Sequence, residues 1–140
     1  MRNLLLILLL PLFSFGQINN FPWVHNFDNN FPLQQDTSDF GDWLLKTGGT
    51  PSFNTGPQGD HTTGNGVYFY VEASGQNYGG KVFTTYTPTF DVSATYGRVL
   101  SFWYHMFGPA MGELEIAIID TADNYIFVDA YNGDQGVNWE

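Results

Sequence analysis

The sequence predicts an all-β sandwich of antiparallel strands. Short apolar and aromatic runs alternate with a period of two residues, as half-buried strands do. Clusters of turn residues separate them: Gly48-Gly49, Gly56-Pro57, Gly64-Asn65-Gly66, Asn77 to Gly80, and Asn132-Gly133-Asp134. Aromatics make up 18% of the chain and charged residues only 13%, with 16 glycines. That balance suits pleated strands and short turns better than helices, and no segment sustains a helical period.

The elements follow in chain order. Arg2 precedes the apolar run Leu4 to Leu10, which Pro11 and Phe13 close. Ser14 and Gly16 are small residues placed to precede a cut at Gln17, so residues 1–16 read as a secretory signal peptide. The run is shorter than the roughly 20 apolar residues of a membrane span. No cysteine follows it that could carry a lipid. The expected location is therefore secreted or cell surface, with one domain over residues 17–140. No transmembrane segment is expected in it.

Within that domain, the polar stretch from Asn29 to Ser38 reads as a loop, and Trp43 as a core residue. Val67 to Ala73 reads as a strand, with Tyr68, Tyr70 and Glu72 on one face and Val67, Phe69 and Val71 on the other. Lys81 to Tyr86 and Thr89 to Val92 carry weaker strand patterns. Arg98 to Met106 reads as a central strand covered on both sides. Leu100, Phe102, Tyr104 and Met106 share one face, and Val99, Ser101, Trp103 and His105 the other. Glu113 to Ile119 follows, with Leu114, Ile116 and Ile118 inward and Glu113 and Glu115 outward. Tyr125 to Ala130 reads as its hairpin partner, joined through the turn Asp120 to Asn124. That acidic turn lacks the glycine and closing glutamate of a calcium-binding helix-loop-helix.

Charge narrows the partners. Beyond the signal peptide, Lys46, Lys81 and Arg98 face fourteen carboxylates, a formal charge near −11. Such a surface repels nucleic acid and anionic lipid, and favours calcium wherever carboxylates converge. No zinc-peptidase, phosphate-loop, dinucleotide or nucleophile-elbow motif is present, so no enzyme activity is expected. His25, His61 and His105 lie too far apart in sequence for a zinc signature. His105 reads as a hydrogen-bonded sheet residue beside Trp103. Asp60 reads as the organiser of its turn through backbone hydrogen bonds. Ser101, His105 and Asp60 make a catalytic triad only on paper, because no strained turn surrounds the serine.

Several blocks carry a resemblance. Phe21-Pro22-Trp23-Val24-His25-Asn26-Phe27-Asp28 opens the domain and Asp39-Phe40-Gly41-Asp42-Trp43 follows. Gly56-Pro57-Gln58-Gly59-Asp60-His61-Thr62 leads into the Val67 strand. Leu100-Ser101-Phe102-Trp103-Tyr104 and the closing Gly133-Asp134-Gln135-Gly136-Val137-Asn138-Trp139 complete the order. In this order the blocks resemble a MAM domain, an extracellular module of adhesion proteins, receptors and secreted enzymes. The resemblance implies a jelly-roll-like, concanavalin-like β-sandwich and a non-catalytic recognition or adhesion role. It implies an extracellular protein or glycan partner, or homophilic association. The alternative it implies is the accessory domain of a secreted hydrolase such as a metallopeptidase. Animal members carry disulfide cysteines where this chain has none, with Val99 standing at one such place. The family domain continues past the closing block through further strands, so an N-terminal fragment lacking the C-terminal strands is expected. Some members hold a calcium or sodium ion near the opening strand. By resemblance and oxygen chemistry, Asp28, Asp60 and Glu72 are the expected ligands. The opposing expectation is turn capping by Asp60 and solvent exposure for the other two.

Overall fold

The structure is a computed structural model that describes residues 16–29, 33–75 and 79–140. Of the expected signal peptide, residues 1–15 lie outside the described part. Six strands are formed: β1 (Gln34–Gln35), β2 (Leu44–Lys46), β3 (Tyr68–Tyr70), β4 (Thr85–Tyr86), β5 (Glu113–Ile119) and β6 (Tyr125–Asn132). They pair antiparallel as β1 with β4, β2 with β3, and β5 with β6. Ile18 adds an isolated parallel bridge to Phe90. The expected all-β antiparallel class is what the chain adopts. No helix among the described residues is long and apolar enough to cross a membrane.

The β5–β6 hairpin is the longest element; β5 has the expected bounds, and β6 runs two residues past the expected Ala130 to Asn132. Asp120 builds its turn. Its Oδ1 accepts from the amides of Ala122 and Asn124 at 2.8 and 2.9 Å. Asp123 takes a left-handed backbone, φ 58°, which a short polar side chain tolerates. The alternation is broken once, by a register shift between Ile116 and Ala117. Leu114 and Ile116 stay partly covered as expected, but Ile118 past the shift is 55% exposed.

The first half is held by side chains that imitate backbone. Gln35 Nε2 donates to the Trp43 carbonyl at 2.8 Å, and Gln35 Oε1 accepts from the Trp43 amide at 3.2 Å. Trp43 Nε1 donates to the Phe83 carbonyl at 2.8 Å, and its ring tilts against Phe69 at 4.9 Å. Asp39 accepts from the amides of Gly41 and Thr84, tying the β1–β2 connection to the approach of β4. Trp43 is thus an anchor by its bonds, but it is half-buried rather than the core residue expected. Phe27 packs on the other side of this group, 4.7 Å from Phe69.

Three strand expectations are corrected. The segment Asn29 to Ser38 contains β1, so it is not all loop. Val67 to Ala73 contracts to three residues, because β2 offers a ladder only from Leu44 to Lys46. Arg98 to Met106 does not form a strand covered on both sides. Val99 is 87% and Leu100 67% exposed, and only Met106 is buried. A strand needs hydrogen-bonding neighbours along its length. Among the described residues this segment finds them only at its end, where Tyr104 and Glu140 exchange amide bonds of 3.1 and 3.0 Å. Gln135 adds a bond to the Met106 carbonyl at 2.7 Å.

Candidate recognition surface

The loop from Thr55 to Gly66 is built inward from close backbone contacts. Pro57 and Gly59 are buried. Gly56 adopts φ 63° with the Thr50 side chain pressed against its α-carbon, leaving no room for a Cβ. Its amide donates to the Phe107 carbonyl at 2.9 Å, joining the loop to the segment after Met106.

Asp60 holds the far end of this loop. Its Oδ2 accepts from the amides of Thr62 and Thr63 at 3.0 and 2.9 Å. Its Oδ1 accepts from Thr63 Oγ1 at 2.8 Å and the Gly66 amide at 2.5 Å. The Thr63 amide, foremost among these donors, lowers the Asp60 pKa to about 2. Asp28 joins from the opening segment, where Oδ1 accepts from the Val67 amide at 2.9 Å and Oδ2 from Asn26 Nδ2 at 2.8 Å. The two carboxylates flank one glycine. A methyl group on Gly66 would lie 3.1 Å from Asp28 Oδ1 and 3.1 Å from Asp60 Oδ1. A side chain there would push the two carboxylates back by a few tenths of an ångström.

Glu72, the third expected cation ligand, is engaged differently. Ser52 Oγ donates to it at 3.1 Å and Ser74 Oγ at 2.6 Å. It ties the Ser52 loop to the end of β3. Among the described residues no three His, Asp or Glu side chains are grouped to hold a metal ion. Asp60 already has four donors on its two oxygens. The structure thus brings Asp28 and Asp60 together at Gly66 and engages Glu72 through two serines, while Asp60 organises its turn through four bonds.

Beside the loop stands an aromatic group drawn from four segments. His61 stacks flat on Trp103, with centroids 3.6 Å apart and planes 10° apart. Trp139 meets His61, Tyr68 and His105 edge-on at 6.3, 5.8 and 5.4 Å. Its Nε1 donates to the Gly59 carbonyl at 3.2 Å, which fastens the group to the loop. Trp103 remains 59% exposed. Sequence reasoning did not assemble this group. The sharing of one strand face by Trp103 and His105 was its visible part.

His105 completes the inner side. Its Nε2 lies 3.2 Å from the Val137 carbonyl, which can only accept, so Nε2 carries the proton. Nδ1 is buried with no hydrogen-bond partner among the described residues. Burial lowers the His105 pKa below its usual value, outweighing that hydrogen bond and the Asp134 charge. Asp60 is spent on the loop amides and His105 on a carbonyl, so Ser101, His105 and Asp60 form no relay.

Comparisons with known proteins give the family. A family model for the MAM domain, meprin/A5/mu, matches residues 26–140. MAM domain-containing protein 2 of Homo sapiens is 37% identical over 100 residues, covering 69% of this chain and 14% of that protein. Thyroid hormone-induced protein B of Xenopus laevis is 33% identical over 113 residues, covering 79% of this chain and 16% of that protein. Neuropilin-1a of Danio rerio is 40% identical over 74 residues, covering 53% of this chain and 8% of that protein. The chain thus spans a small part of the length of each relative. With a family match running from the opening Asp28 segment to the closing Trp139 block, the chain belongs to the MAM domain family.

Proposed function

We propose that this chain is a non-catalytic extracellular recognition module, secreted or displayed at the cell surface after loss of residues 1–16. The observation that carries the reading is the exposed Trp103, held flat by His61 and braced through Trp139. Large aromatics fixed at a surface are the anchors of recognition sites. Membership of a family of adhesion-type modules supports it. Asp28 and Asp60 serve in this reading as loop anchors, with calcium or sodium not required. The role of an accessory domain in a secreted hydrolase would use the same surface and differ only in what is attached.

The test is a screen of the full chain against arrayed extracellular proteins and glycans, beside turnover assays with peptide and glycoside substrates. Saturable binding without turnover is expected. Turnover of any substrate by the chain alone would overturn the non-catalytic reading.

A further inference from the structure

We propose that the open face of Trp103 is a docking platform for a neutral, pyranose-based glycan. This rests on the recognition reading and narrows its partner.

The platform is pre-organised. His61 covers one face of the indole at 3.6 Å, nearly parallel. Trp139 blocks movement of His61 from the side and is itself pinned by its bond to the Gly59 carbonyl. The loop beneath is fixed by the four bonds to Asp60. Yet 59% of Trp103 stays in water. A flat ring held in place loses little freedom when a ligand lands on it.

The chemistry of the rim selects the ligand. A pyranose presents carbon-bound hydrogens on its face and hydroxyls around its edge. The positive C–H edges suit the negative face of an indole. The hydroxyls need hydrogen-bonding groups beside that face. Thr62, with Oγ1 3.5 Å from His61 Nδ1, and Asn65 are exposed on the loop that carries His61. Asn138, next to Trp139, is exposed as well. These are neutral donors and acceptors, with no basic side chain among them.

Charge excludes one class of glycan. The chain carries fourteen acidic and four basic residues. None of the four lies between His61 and Gly66 or beyond Arg98. Sulfated and uronic-acid polymers meet a chain of like net charge, and neutral sugars do not.

The test uses the full chain with cellohexaose and chitohexaose as neutral probes and a heparin hexasaccharide as the acidic one. Tryptophan fluorescence and calorimetry report binding. Saturable binding of a neutral probe with a change in tryptophan emission is expected, and none of the heparin probe. Trp103→Ala should weaken binding on the order of thirtyfold, the loss expected of a central aromatic anchor. Trp103→Phe should fall between. Circular dichroism identical to the parent shows that each variant is folded. Binding to glycoproteins that disappears on deglycosylation places the glycan on a protein, and binding only to an insoluble neutral polymer places it in a free polysaccharide. Either supports the proposal. Failure of every neutral probe, or equal binding by Trp103→Ala, overturns it. An arrayed protein that still binds after deglycosylation would then leave the recognition reading standing, whereas silence on every array would remove both.

Discussion

Gly59→Ala strikes the loop where two stretches of backbone touch. A Cβ on Gly59 would overlap the Gly64 carbonyl oxygen and lie 2.8 Å from its carbon and 3.2 Å from the Gly64 Cα. No flexible side chain is there to yield. The Gly64 amide is held to the Asp60 carbonyl at 3.2 Å, and the Gly59 carbonyl receives Trp139 Nε1 at 3.2 Å. Either the loop shifts or the tryptophan loses its anchor. Overpacking costs about 1–3 kcal/mol where neighbours adjust. With backbone on both sides, the upper end applies, about 3 kcal/mol. For a chain of this size that lowers the melting temperature by about 10 °C. Gly64→Ala in the same loop is the control. Gly64 has φ 76° but nothing within 4 Å of a Cβ, so only the left-handed backbone opposes the change. That costs about 1 kcal/mol, or about 3 °C. Thermal unfolding followed by circular dichroism and by tryptophan emission separates the two. A Gly59→Ala shift no larger than that of Gly64→Ala would refute the close-contact reasoning. So would a full-size shift with unchanged tryptophan emission.

Three further outcomes follow from the titrating and acidic groups. Asp60 has a depressed pKa, so its contribution is complete above the usual carboxylate value of 3.8 and is lost as the pH falls toward about 2. Protection of the Thr63 and Gly66 amides, relative to intrinsic exchange at each pH, should fall over that window, and Asp60→Asn should show the lower protection already at neutral pH. His105 is also depressed, so its unfolded form binds a proton first and stability declines as the pH falls below the usual 6.5. Melting temperatures from about pH 7.5 to about 5.5 should fall less in His105→Gln than in the parent; equal slopes would count against burial of this imidazole. Millimolar calcium should leave the melting temperature unchanged, because the Asp60 oxygens are filled by their own loop. A rise of several degrees that Asp28→Asn abolishes would restore a cation to the Asp28 and Asp60 pair.

How much was legible in the sequence depended on how local the cause was. The β5–β6 hairpin was legible because strict alternation flanks a turn that Asp120 closes with its own neighbours. The organising role of Asp60 was legible for the same reason, since three of its donors lie within three residues. Gln34–Gln35 and Leu44–Lys46 were not, because runs of two or three residues carry no period, and β1 is defined by its partner β4. The segment from Arg98 to Met106 showed the limit from the other side. Its alternation is that of a buried strand, but burial depends on neighbours that the pattern cannot name. Of the aromatic group, only Trp103 and His105 shared a strand in the sequence. Their union with His61 and Trp139 spans the 80 residues between Gly59 and Trp139. Of the expected cation ligands, Asp28 and Asp60 meet at Gly66, whereas two serines of the loop and strand end take the Glu72 carboxylate.

The most direct measurement is the binding of the parent chain and of Trp103→Ala to the same arrayed extracellular proteins and glycans. Recognition through Trp103 requires targets bound by the parent and lost by the variant, with both chains equally folded. Undiminished binding by Trp103→Ala would contradict it and move recognition to another face of the domain.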